Sequence, residues 1–172
     1  MNSQTVAYTD EIMDVLFEMY NLPENLPIVS AGSSMGGLSS LVYTFYFKRT
    51  PAACVAICPV CDVVYHFTER SDLPRTMYSA LYNYPGTLED ALKSISPLHL
   101  APKMPQIAYH LFHCAKDTAV NLHKHFEAFV SEMKKYGYNI TLDILPDRDH
   151  GNLTLNANRR FAEYIVSAIE TK

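Results

Sequence analysis

Leu26-Pro27-Ile28-Val29-Ser30-Ala31-Gly32-Ser33-Ser34-Met35-Gly36-Gly37 is the stretch that decides how this chain folds. A short apolar run leads into Gly-x-Ser-x-Gly, and a helix-like segment follows. That order matches a nucleophile elbow, in which a strand turns sharply into a helix and holds a serine, here Ser34, strained at the tip. Gly32 and Gly36 are expected to flank it because side chains there would clash, and Gly37 would let the new helix pack closely. Five residues also fit a Ser/Gly-rich loop, so the partners of Ser34 decide between the two.

Outward from the elbow, the pattern alternates strand and helix. Ile12, Val15, Leu16 and Met19 recur at helical spacing within residues 9–20, so an amphipathic helix precedes the elbow and ends at Asn21-Leu22-Pro23. A strand is expected at about 28–31, a buried helix over 36–48 and a second strand over 53–58, bounded by Pro51 and Pro59. Periodicity weakens between about 60 and 105. This segment reads as an insertion near the site, with Thr87-Leu88-Glu89-Asp90 as a capping box opening a short helix. Further on come a strand at 107–113, a helix at 120–136 with Gly137 beyond its end, a strand at 140–145 and a helix at about 156–170. Strands alternating with helices imply an α/β fold, with a mostly parallel sheet of about four strands and helices on both faces. Ligands in such sheets bind at the C-terminal strand ends.

Composition narrows the function. With 172 residues, 48% hydrophobic and 19% charged, the chain fits one domain with a sizeable core. A net charge of −4 without a Lys/Arg stripe gives no footprint for nucleic acid or an anionic membrane. No run approaches the roughly 18 apolar residues of a membrane span, and the start Met1-Asn2-Ser3-Gln4 is no export signal, so a cytoplasmic location is expected. Cys54, Cys58, Cys61 and Cys114 sit in apolar surroundings, unlike a secreted disulfide framework. Cys58-Pro59-Val60-Cys61 has the C-x-x-C of redox proteins and of half a zinc site, but lacks a second ligand pair. Buried small hydrophobes are the plainer reading.

A serine hydroxyl needs a histidine base, itself oriented by a carboxylate. Asp117 lies just beyond the third strand and His150 just beyond the fourth, both in loops from which Ser34 is within reach. Asp62, at the end of the second strand, is a competing acid; Asp147 and Asp149 read as solvated loop charges. His66, His99, His110, His113, His123 and His125 read as packing or surface residues, since no two share a carboxylate at metal-ligand spacing. Tyr65, Tyr78, Tyr82 and Tyr84 of the insertion either line a substrate pocket or cover the core with their rings.

With these residues in hand, the chain resembles the catalytic domain of the prolyl oligopeptidase family, in the α/β-hydrolase superfamily, which also holds similar esterases. The resemblance rests on the elbow with its Gly36-Gly37 pair, on His113-x-x-x-Asp117 followed by Val120, and on Asp149-His150-Gly151. The family usually has His-Gly where this chain has His113-Cys114, a small residue in either case. The resemblance implies Ser34 as nucleophile, Asp117 as acid, His150 as base and the Met35 backbone N–H as one oxyanion donor. It also implies hydrolysis of a small ester or short peptide by a metal-independent route, with no cofactor.

That family brings its nucleophile after several strands, whereas only residues 1–27 precede the elbow strand here. A partial α/β-hydrolase fold lacking the N-terminal strands is therefore expected. Such a fold would lack the second oxyanion donor and leave the elbow strand with an open edge. Truncation, closure of that edge in a homodimer, or a partner chain supplying the missing part would each account for it. A catalytically weak remnant serving as an interaction or oligomerisation module is the alternative to an active hydrolase.

Overall fold

The computed structural model describes residues 2–170. Helix α1 (Ser3–Met19) starts where the Asn2 side chain accepts a hydrogen bond from the Thr5 N–H. Strand β1 (Val29–Ser33) runs into helix α2 (Met35–Tyr46), and β2 (Ala53–Ile57) follows. Four short helices then fill the insertion: α3 (Val63–Glu69), α4 (Leu73–Leu81), α5 (Leu88–Ser94) and α6 (Pro97–Leu100). Strand β3 (Ala108–Cys114) leads through a π-helical segment (Leu122–Glu127) into α7 (Ala128–Lys135). Strand β4 (Asn139–Leu145) and α8 (Leu155–Glu170) complete the described chain.

The sheet is parallel throughout, in the order β1-β2-β3-β4, with Val29 beside Ala53, Ala53 beside Ala108 and Ala108 beside Asn139. Alternation along the strands sends side chains to two cores. Cys54, Ala56, Tyr109 and Leu111 pack on one face with Leu41 of α2 and Phe129 and Met133 of α7. Val55, Phe112 and Cys114 pack on the other face with Ala157, Phe161 and Tyr164 of α8. Helices thus cover both faces of a parallel α/β sheet. Cys58 and Cys61 fall into different clusters, both as buried free thiols.

Two expectations need correction. The insertion carries four α-helices rather than one, because its apolar residues close a local cluster. Val63, Leu73, Met77, Leu81, Leu92 and Ile95 meet Leu38 and Val42 of α2 there, in helices too short to show a clear period. Second, the segment after Val120 begins as a π-helix, which turns His125 and Phe126 inward. On α1 the apolar stripe faces outward: Ile12, Val15, Leu16 and Met19 are exposed, whereas Val6 and Phe17 are buried. Arg49 over the Phe17 ring, and the pairing of Lys48 and Arg49 with Asp14, fix that rotation.

Candidate active site

Ser34 sits between β1 and α2 with φ +56° and ψ −120°, a backbone conformation that costs an L residue energy. Its N–H donates to the Ile57 carbonyl of β2, and its carbonyl accepts from Leu38 N–H, so the surrounding structure holds the strain. The flanking glycines are not equivalent. A Cβ on Gly32 would lie 2.2 Å from the Gly36 carbonyl oxygen, whereas one on Gly36 would meet nothing within 4 Å. The elbow therefore needs glycine before the serine and does not sterically need Gly36, contrary to the sequence expectation. At Gly37 a Cβ would come 3.0 Å from Pro59 Cβ, the close helix packing expected there.

Two loops deliver side chains to this turn. His150 Nδ1 lies 2.6 Å from Asp117 Oδ2, and His150 Nε2 lies 2.8 Å from Ser34 Oγ. Asp117 Oδ1 accepts from the Ala119 and Val120 N–H groups. Burial alone would raise the Asp117 pKa, but the His150 hydrogen bond and the two backbone N–H groups outweigh it and lower it. The Asp117 side chain is fully buried and ionised; that of His150 is 31% exposed. A charged carboxylate on Nδ1 fixes the tautomer with an open Nε2 lone pair, and that lone pair faces the serine hydroxyl. Chemically, such a series can take a proton from the hydroxyl and return it. Met35 begins α2, so its backbone N–H is one of the helix's first, unpaired donors.

Asp62 does not join this series. Its carboxylate caps α3 by accepting from Tyr65 N–H. Asp147 pairs with Lys116 in the exposed loop, and Asp149 is exposed. His113 is fully buried against Phe126, with its Nε2 3.9 Å from Asp117, and burial lowers its pKa to about 4. His110 stacks on Tyr164.

One cluster escaped the sequence reading. His66 Nδ1 and His125 Nε2 lie 2.6 and 3.1 Å from the same oxygen of Glu69, so two histidines do share a carboxylate. His66 and Glu69 are one helical turn apart, and the fold brings in His125 from the π-helical segment; their i, i+3 spacing was the only signal available. The cluster does not suit a metal ion. His125 Nδ1 accepts from the Cys61 and Asp62 N–H groups, so its proton sits on Nε2, and both imidazoles act as donors to Glu69.

A parallel sheet with a strand-serine-helix elbow, and an acid and a histidine carried beyond the next strand ends, is an α/β-hydrolase arrangement. The family model described as "Prolyl oligopeptidase family" matches residues 11–168, and the chain belongs to that family. No curated protein sequence matches the chain. Among solved structures it is similar to Porphyromonas gingivalis dipeptidyl peptidase 4, with TM-score 0.75, 19% identity and 94% of this chain covering 22% of that one. Pyrococcus horikoshii acylaminoacyl peptidase gives TM-score 0.68 and 15% identity, over 90% of this chain and 25% of that one. A puromycin hydrolase gives TM-score 0.68 and 13% identity, over 95% and 23%. The chain thus spans about a quarter of the length of these proteins. Among the described residues no helix is long and apolar enough to cross a membrane.

Proposed function

We propose that the chain is a serine hydrolase that cleaves a carboxylic ester or short peptide through an acyl-enzyme on Ser34. His150 takes the Ser34 proton as Oγ attacks the carbonyl and returns it to the leaving group. Asp117 holds the imidazole in the required tautomer and stabilises the imidazolium that forms. The Met35 N–H donates to the developing oxyanion. The observation that carries the reading is the unbroken series Asp117–His150–Ser34, with contacts of 2.6 and 2.8 Å. The structural neighbours, two peptidases and a hydrolase by name, point to acyl-group substrates of this kind. An ester has a better leaving group than an amide, so a small ester is the easier substrate for this series.

p-Nitrophenyl acetate tests the acyl-enzyme directly. Stopped-flow mixing is expected to release a burst of about one p-nitrophenol per chain before the steady state, and Ser34→Ala is expected to lose it. A burst that survives in Ser34→Ala would refute the nucleophile.

The second reading, a weak hydrolase serving as an oligomerisation module, has its own observation. Among the described residues β1 pairs only with β2, so its other edge carries unpaired backbone groups, and the α1 stripe lies exposed. Both features suit a second copy of this chain. Light scattering should then give a dimer mass; a monomer at micromolar concentration would remove that proposal.

A further inference from the structure

We propose that Cys58, Asp117 and His150 form a site for a thiophilic divalent cation such as zinc or cadmium, and that filling it switches off the base. Cys58 directly follows β2 with φ +43° and is fully buried. Its Sγ, a carboxylate oxygen of Asp117 and a ring nitrogen of His150 all lie within 4.8 Å of one another. A tetrahedral zinc ion, with bonds of roughly 2.0–2.3 Å, holds its donors about 3.3–3.8 Å apart. Side-chain shifts on the order of an ångström would bring these three atoms onto one ion.

The chemistry of the three donors also fits. Sulfur and imidazole nitrogen select zinc and cadmium over magnesium or calcium. Asp117 is a buried negative charge whose ion-pair partners among the described residues are His113 and His150, with neither lysine nor arginine. With the Cys58 thiolate it would balance a divalent ion. The tautomer separates this site from the Glu69 cluster: His125 is locked by two backbone N–H groups, whereas the His150 nitrogens face the Asp117 carboxylate and the Ser34 hydroxyl, with no backbone donor among the described residues. On binding, Cys58 releases its thiol proton to water and the sulfur pair forms the metal bond. The His150 proton passes through solvent from Nδ1 to Nε2, which frees the Nδ1 pair for the ion. No electron moves, and one proton leaves per ion bound. Nε2 then carries a hydrogen towards Ser34 Oγ and can no longer accept one. Burial pushes the Cys58 thiol up to about 12, so without metal it stays protonated and inert.

The inhibitory half of this proposal rests on His150 acting as base; the binding half does not. Cadmium chloride added to the unaltered chain is expected to give an ultraviolet thiolate-to-metal band that saturates at one ion per chain. Cadmium-edge absorption should show one sulfur among nitrogen and oxygen donors. Fluorophosphonate labelling of Ser34 should slow at least tenfold and recover with EDTA. Cys58→Ala should still label without metal, while losing both the band and the slowing. A first shell with no sulfur or two sulfurs, a band that persists in Cys58→Ala, or no band at millimolar cadmium would overturn the site. A band without any labelling of the metal-free chain would instead refute the serine hydrolase and leave the site standing.

Discussion

Two of the carboxylate–imidazole contacts in this molecule, Asp117–His150 and Glu69–His125, are arranged in opposite ways. In Asp117–His150 the far nitrogen faces a hydroxyl and the ring is partly open to solvent. In Glu69–His125 the far nitrogen is saturated by two backbone N–H groups and the ring is fully buried. The same pairing of carboxylate and imidazole leaves a nitrogen free to accept a proton in one place and closes off both nitrogens in the other. What separates them is the occupant of the second nitrogen, not the presence of the acid.

Swapping each histidine for leucine should expose the contrast. His150→Leu and Ser34→Ala are each expected to lower p-nitrophenyl acetate turnover on the order of 10³-fold or more. The urea midpoint should stay nearly unchanged in Ser34→Ala, whereas His150→Leu also leaves the buried Asp117 carboxylate without its imidazole partner and should lower it. His125→Leu leaves the Cys61 and Asp62 N–H groups and the Glu69 carboxylate without their partner. It should cost roughly 2–4 kcal/mol in urea unfolding, while the folded fraction labels at Ser34 within a few-fold of the unaltered rate. Turnover collapse in His125→Leu without loss of stability would erase the distinction.

Acid sharpens the comparison with a smaller effect. Burial lowers the pKa of His125 and brings that of His113 down to about 4, while unfolded histidines titrate near 6.5. The unfolded chain then binds more protons below pH 6.5. The contribution of these histidines is fully present above that pH and falls as pH drops towards 4. The expected loss is on the order of 1–3 kcal/mol, read from unfolding midpoints between pH 7 and 4.5. His113→Leu should flatten the slope; an unchanged slope would place the proton uptake elsewhere. The smallest effect belongs to the elbow. Gly36→Ala fills open space at the start of α2 and should raise or hold stability within about 1 kcal/mol, with labelling retained, as thermal unfolding would show.

The productive pair was legible in the sequence and the structural pair was not. Ser34, Asp117 and His150 each follow a strand, so their meeting follows from topology once the alternation of strand and helix is read. Gly32 and Gly37 announced the elbow because backbone contacts demand them, although Gly36 was credited with a role it lacks. The Glu69 cluster depends on a π-helical turn that rotates His125 inward, and no periodicity marks such a turn in advance. The insertion was opaque for a related reason: helices of four to nine residues each contribute too few apolar positions to define a face. On α1 the apolar period is legible in the sequence but the side it faces is not, because Phe17 under Arg49 anchors the helix with that stripe outward.

The central claim is that His150 makes Ser34 a nucleophile. Intact-mass spectrometry after exposure to a fluorophosphonate tests it most directly. One adduct per chain, mapped to Ser34 and lost in both Ser34→Ala and His150→Leu, is the predicted result. An unlabelled chain, or an adduct that persists in Ser34→Ala, would contradict it.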